Sequence, residues 1–273
     1  MIQTINYAIT KMFDVILYPF SFINDFWGIL FLSIVSSVVV LVIYKYASSP
    51  RLIRRAKNQV KSSILSIRLY KDFWRVILAS FAKSLAYTLK YFVLNVGPIL
   101  FIIPILMPVF AQMDVRYGMQ PFEEGKILVV KAKFNRSVED LDVQLLANRH
   151  VEPVMNPVFI KALNEVNWKL RVVNGGTTAL EIKVGDRVVQ KALFAGDYRG
   201  TISNKKFSRS QLDHFIYPVE SLFPEDSHLE HIYVRHPGKL VSFLGTRIHW
   251  IIHYLVLVLI IVLTLRKRFN VEF

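Results

Sequence analysis

Two long uncharged stretches constrain this chain more than any other feature. Residues 26–44 carry no charge over nineteen positions, and residues 91–113 none over twenty-three. A bilayer's hydrocarbon core is about 30 Å thick, and roughly 20 apolar residues in helix cross it. Both stretches qualify as spans. Between them, residues 45–90 hold eleven Lys and Arg against one acid, Asp72.

The chain has a formal net charge of +14, which on its own would fit a nucleic-acid partner. The distribution argues otherwise. Residues 114–246 carry 18 basic and 16 acidic side chains, so the excess sits in the segment between the two stretches. A basic segment wedged between spans is the positive-inside pattern that sets orientation in a membrane. Arg51, Arg54, Arg55, Lys57 and Lys61 are the residues expected to fix topology or meet anionic headgroups, at about 1 kcal/mol each near the surface. With 53% hydrophobic residues and a mean hydropathy of +0.37, the chain reads as part membrane, part water-exposed. The expected partners are the lipid bilayer and other membrane or envelope proteins, and not nucleic acid. There is no cysteine, which excludes disulfides, thiol catalysis and Cys-based metal sites.

Along the chain, residues 1–25 lack the basic start and small-residue cleavage site of a secretory signal. Ile2, Ile5, Ile9, Met12, Phe13, Ile16 and Leu17 recur at helical spacing, with Gln3, Asn6, Thr10 and Asp14 opposite. This predicts an amphipathic helix ending near Pro19, either lying in the membrane interface or packing against the spans. The first span, residues 26–45, has Trp27 and Tyr44 at its ends and small residues Ser33, Ser36 and Ser37 along one side. Such a stripe fits close helix packing or a polar groove. Residues 46–90 should be helical, as one helix or as two broken near residues 68–72 with Asp72 as cap. The second span, residues 91–113, contains Pro98, Pro104 and Pro108 and is expected to be kinked.

Beyond residue 113 the period changes to two. Leu128, Val130, Ala132 and Phe134 alternate with Val129, Lys131 and Lys133, and similar runs follow at residues 141–145, 166–172, 180–184 and 188–194. Runs at 154–160 and 231–234 bring the expected strands to six or seven, with Gly185-Asp186 as a two-residue hairpin turn. The expected architecture is an integral membrane α-helical protein with three transmembrane helices and a basic cytoplasmic helical hairpin, plus an all-β immunoglobulin-like sandwich domain over residues 114–196. Residues 197–239 read as an extracytoplasmic connector, 240–265 as the third transmembrane helix, and 266–273 as a cytoplasmic tail opening with Arg266-Lys267-Arg268. Three spans place the N-terminus and the β-domain together on the extracytoplasmic side, most simply of a bacterial inner membrane.

No motif for catalysis emerges, and neither enzyme activity nor a cofactor is expected. His249 and His253 are four apart, a spacing that can bind a metal on one helix face. No third ligand is near, so they read as interface anchors beside Arg247, Trp250 and Tyr254. Asp213-His214 and Glu230-His231 lie in another segment. Asn135-Arg136-Ser137 matches a short glycosylation acceptor. Lys45, abutting the first span, reads either as a snorkelling end-cap or as a cation facing a groove between spans.

Lys45-Tyr-Ala-Ser-Ser-Pro50 ends the first span, and Gly97-Pro98 with Met107-Pro108-Val109-Phe110 marks the second. These elements, around a basic helical hairpin, resemble the opening of the core of the YidC/Oxa/Alb membrane insertases over residues 22–113. There a groove arginine ends the first core span five residues before a proline; Lys45 holds that place here. The resemblance implies a reduced insertase or assembly factor, with Lys45, Ser33, Ser36, Ser37, Asn95 and Gln112 lining a polar groove. The remaining spans of that core are missing and a β-domain stands between spans two and three. The alternative reading is a membrane-anchored structural or interaction subunit whose β-domain binds an envelope partner.

Overall fold

The computed structural model describes residues 2–208, 218, 220–224, 227–243 and 245–271. Its backbone divides into two units. One comprises Met1–Gly28 with Met107–Trp250, the other Ile29–Leu106 with Ile251–Phe273.

Helix α1, Ile2–Leu17, runs into a single 3-10 turn, Tyr18–Phe20, where Pro19 ends it. Helix α2, Asp25–Ala47, is capped by Asn24, whose Oδ1 accepts from Phe26 N at 2.9 Å. Lys45 sits in its last turn, the end where the helix dipole favours a cation. Helix α3, Pro50–Leu69, opens with proline at its first position, where the missing N–H costs nothing. Helix α4, Trp74–Met113, follows after residues 70–73. The basic segment is therefore two helices, as one of the two expectations had it, but Phe73 rather than Asp72 stands at the cap position.

Helix α4 carries the proline-bearing second stretch without a break in its helical backbone. It is helical for 40 residues, through Gly97, Pro98, Pro104 and Pro108. Each proline removes one backbone hydrogen bond, and the bonds on either side carry the helix past it. The hairpin's second arm and the second apolar stretch are thus one continuous helix, about 60 Å along its axis at 1.5 Å per residue.

Burial along the two arms has a heptad-like spacing. In α3, Ile53, Ala56 and Ser63 are buried with Val60 and Ile67 half-buried; in α4, Ile77, Ser80, Ser84, Tyr87, Tyr91, Leu94 and Pro98 are the less exposed positions. Alternating three- and four-residue steps define a narrow seam of the coiled-coil kind. Small residues at several of these positions leave room for close helix approach. Leu41, Tyr44, Ile53, Ile102 and Val271 form the buried cluster of this unit, joined by Val262, Leu265 and Phe269.

Two helices are long and apolar enough to cross a bilayer: Asp25–Ala47, and α4 with the turn that follows it, Trp74–Gly118. The expected third span divides. Strands Leu240–Phe243 and Thr246–His249 pair as an antiparallel hairpin, and only then does helix α5, Trp250–Leu265, begin. Its 16 residues make about 24 Å of apolar helix. Gly245, at φ +80°, takes the turn conformation that breaks the apolar run.

The remaining strands form two antiparallel sheets. In chain order they are β1 Ile127–Phe134, β2 Val143–Leu145, β3 Val151–Pro153, β4 Val158–Ile160, β5 Glu165–Val172, β6 Gly176–Val184, β7 Arg187–Ala195, β8 Lys205–Phe207 and β9 Leu229–Val234. The hairpin strands above become β10 and β11. The larger sheet has the order β3-β5-β1-β9-β8, with β4 set end to end with β3 along the same edge of β5; the smaller is β2-β6-β7. Inward residues of both sheets share one core: Val130, Ala132, Trp168, Leu170 and Ile232 from the larger sheet, Leu180, Ile182 and Leu193 from the smaller. The arrangement is sandwich-like.

Two strands come from the expected connector. β9 pairs with β1, and β8 pairs with β9. Without β9, β1 would be a sheet edge with Val130 and Ala132, both wholly buried, beside unpaired backbone. The β-region therefore extends past residue 196, to Val234.

Candidate functional site

Of the six residues expected to line a groove, Ser33, Ser36, Ser37, Lys45 and Asn95 belong to one unit and Gln112 to the other. Ser33 and Ser37 are fully buried, and their hydroxyls donate to the carbonyls of Ile29 (2.8 Å) and Ser33 (2.6 Å) on the same helix. Ser36, also buried, lies near the Tyr254 hydroxyl of α5. The serine stripe is a packing surface whose polar atoms are already satisfied. Asn95 accepts from Tyr44 Oη at 2.6 Å and donates to Tyr91 O at 2.7 Å, tying α2 to α4. Lys45 is exposed, its Nζ 5.8 Å from the Tyr46 ring centroid. It stands eight residues beyond Ser37, about 12 Å along the helix axis. Arg51, Arg54, Arg55, Lys57 and Lys61 are all exposed on α3, away from its buried seam.

Gln112 belongs to the other unit, in a polar cluster that sequence reasoning had not assembled. Its side chain is almost wholly buried; Nε2 donates to Thr10 Oγ1 at 2.9 Å, and Oε1 accepts from Arg116. Arg116 also forms an ion pair with Asp14 at 2.5 Å. Thr10 and Asp14 are on the stripe of α1 opposite its isoleucines, so α1 is held to the end of α4 through polar contacts. Here the backbone leaves the α-helix for one π turn, Asp114–Gly118, a geometry often found at functional sites.

Two glycines make this turn fit. A Cβ at Gly28 would collide with the Tyr117 hydroxyl, and one at Gly118 with the Asp114 carboxylate and Trp250 Nε1. Trp250 Nε1 donates to Asp114 Oδ1 at 3.4 Å, and Lys239 pairs with Asp25 at 2.6 Å. Phe26 stacks on Phe243, ring centroids 3.5 Å apart. Two of these pairs, Arg116–Asp14 and Trp250–Asp114, tie α1 and the start of α5 to the turn, and Lys239–Asp25 joins the start of α2 to the residue before β10. A sequence signal existed: Asp14 is an acid inside an apolar helix, and Arg116 follows directly on an apolar stretch.

Inside the β-region lies a buried ion pair. Lys191 of β7 is 0% exposed; its Nζ pairs with Glu220 and donates to Ser203 O at 2.8 Å. Burial lowers the Lys191 pKa, and the Glu220 carboxylate opposes that shift. Nearby His236 is 3% exposed, with Nδ1 3.0 Å from Asn204 Oδ1 and its ring 4.8 Å from that of Phe122. Desolvation, with the charge of Lys191 adding to it, pushes the His236 pKa down to about 3. Its Nε2 has no hydrogen-bond partner among the described residues.

His249 and His253 do not share a helix face. His249 ends β11 and His253 lies in α5; no group of three metal-ligating side chains occurs among the described residues. Asp213-His214 lies outside the described residues. Glu230 and His231 lie on β9, with Glu230 paired to Lys133 at 3.1 Å. A shallow depression of about 430 Å³ is lined by Asn148, Arg149, His150, Thr177 and Thr178.

Comparisons with protein-family models, with curated proteins and with solved structures find no match for this chain.

Proposed function

We propose that this chain is a non-enzymatic membrane factor that helps polar-flanked segments of other membrane proteins enter the bilayer, with the basic hairpin and C-terminal tail on the cytoplasmic side. The carrying observation is the continuity of α4. One 40-residue helix joins the arm beside the exposed basic face of α3 to an uncharged stretch of bilayer length. A segment met at the hairpin would lie along the helix that leads into lipid. The likeness of residues 22–113 to the insertase core supports the same reading.

The buried serines shift where contact with a client would occur. Their hydroxyls are occupied, so the polar surface on offer is the exposed one: Lys45 at the end of α2 and the arginines and lysines of α3. Charge there attracts acidic flanks, and removing it lowers encounter more than it lowers fold stability. The test is photo-crosslinking of nascent membrane proteins to a probe at Tyr46, comparing the native chain with Lys45→Ala and with Arg51, Arg54 and Arg55 changed to Ala. Several-fold weaker crosslinking is expected; unchanged crosslinking removes the mechanism.

A second reading has its own observation. The outward face of the larger sheet is basic, with Lys131, Lys169 and Arg171 exposed on neighbouring strands and Arg235 exposed just beyond β9. Such a face fits an acidic partner in the envelope, with the helices as anchor. Capture of that partner by the full chain, abolished by Lys131→Glu with Lys169→Glu and indifferent to the Lys45 change, would favour this reading over the first.

A further inference from the structure

Helix α1 has three sides, and only two have partners among the described residues. At roughly 100° per residue, Asn6, Phe13 and Leu17 share one sector, and all three are buried. Lys11, Asp14 and Tyr7 share a second: Lys11 Nζ is 3.9 Å from Asp14 and 5.7 Å from the Tyr7 ring centroid, and Asp14 holds Arg116. The third sector contains Ile5, Ala8, Met12, Val15 and Ile16. It is exposed throughout, Val15 by 75%, and carries no polar side chain. The buried sector straddles the two faces of the amphipathic pattern, taking Phe13 and Leu17 from one and Asn6 from the other. Most of the apolar face is left outward.

We infer that this outward arc is a bilayer-facing foot, set in the headgroup–acyl boundary and fixed to the β-bearing unit through Asp14–Arg116 and Gln112–Thr10. Three observations select lipid rather than a partner protein. Only residues 18–24 separate α1 from α2, whose uncharged stretch begins at Phe26, so α1 cannot leave the neighbourhood of a bilayer that α2 crosses. The arc is bordered on one flank by charged side chains and on the other by protein, the pattern of a helix with one side in lipid and one in water. The linker adds exposed Tyr18 and Phe22 (73%), and α2 opens with exposed Trp27, aromatic residues of the kind that gather at the interface. This inference rests on α2 crossing the bilayer, and it assigns α1 a role that the hairpin mechanism does not need.

The chain has no cysteine, so single labels report one position each. Spin labels at Met12, Val15, Lys11 and, within α2, Val38 are introduced one at a time into the full chain. The protein is reconstituted in phosphatidylcholine vesicles with a minor share of phosphatidylglycerol. Collision with oxygen and with a water-soluble nickel chelate is then measured. Met12 and Val15 should favour oxygen several-fold more than Lys11, approaching Val38. If Val38 is in lipid while Met12 and Val15 match Lys11, or are shielded from both relaxers, the foot is refuted and the span stands. If Val38 is itself in water, the membrane reading fails and the inference with it.

Discussion

Lys191 and His236 hold the β-region's buried polar chemistry, and each makes a measurable demand. Glu220 reaches Lys191 from the segment before β9, so the pair closes that segment onto β7. Glu220→Gln leaves a buried ammonium without its counter-charge and should cost about 3–5 kcal/mol. Lys191→Met leaves the Glu220 carboxylate instead, which is less deeply buried and lies near Lys206, and should cost clearly less. Denaturant unfolding of the full chain in detergent compares them; equal losses would show that either orphaned charge costs the same and overturn the ranking. His236 is neutral in the folded chain down to about pH 3, whereas an unfolded histidine protonates near 6.5. As pH falls, the unfolded state takes up the proton first. The stability that neutral His236 contributes is complete above pH 6.5 and is lost as pH falls towards 3, about 1.4 kcal/mol per unit. His236→Gln should flatten the fall in Tm between pH 6.5 and 4; an unchanged slope would show that other groups govern acid unfolding.

Among the elements, the β6–β7 hairpin was the most legible. Alternation on both sides of Gly185-Asp186 set its register, and Val184 pairs with Arg187 across the turn. Gly185 has φ +58° and nothing within 4 Å of its would-be Cβ, so Gly185→Ala should cost about 1 kcal/mol from backbone conformation alone. A thermal shift near zero would refute that assignment. At Gly28 the reason is space: Gly28→Val drives a side chain into Tyr117 and should loosen the π turn, read as faster hydrogen exchange at residues 114–118 with little change in β6–β7. Slowed or unaltered exchange there would count against it. β8 was less legible. Its three residues, Lys205–Phe207, are too few to show a period, and pairing with β9 is what makes them a strand. The split of residues 240–265 escaped for a related cause. Leu240, Val241 and Phe243 are as apolar as a helix requires, and only pairing with Thr246–His249 turns them into strand.

For the whole molecule, two helices of bilayer-spanning length and a basic segment between them predict an integral protein oriented by charge. The chain should stay with membranes through alkaline carbonate extraction. Replacing Arg51, Arg54, Arg55, Lys57 and Lys61 with Glu should leave that association intact while raising the fraction in the inverted orientation, scored by protease accessibility of the β-region. Release on carbonate would refute the spans; a fixed orientation would move the topology signal elsewhere in the chain.

What the sequence determined alone was whatever depends on local pattern. Uncharged length made most of α2 and the second half of α4, period-two alternation made β1, β5, β6 and β7, and charge asymmetry marked the hairpin. Tertiary structure decided what depends on partners distant in sequence. The serine stripe could be groove or packing until neighbouring helices buried it. Gln112 was a candidate groove residue until Thr10, 102 positions away, met it beside its near neighbour Arg116. Polar side chains acquire a role only from what they bond, because an unpaired buried polar group is costly and a paired one is nearly free. That pairing is a property of the folded chain, which is why the two apolar stretches were plain from the start and the polar junction at residues 112–118 was not.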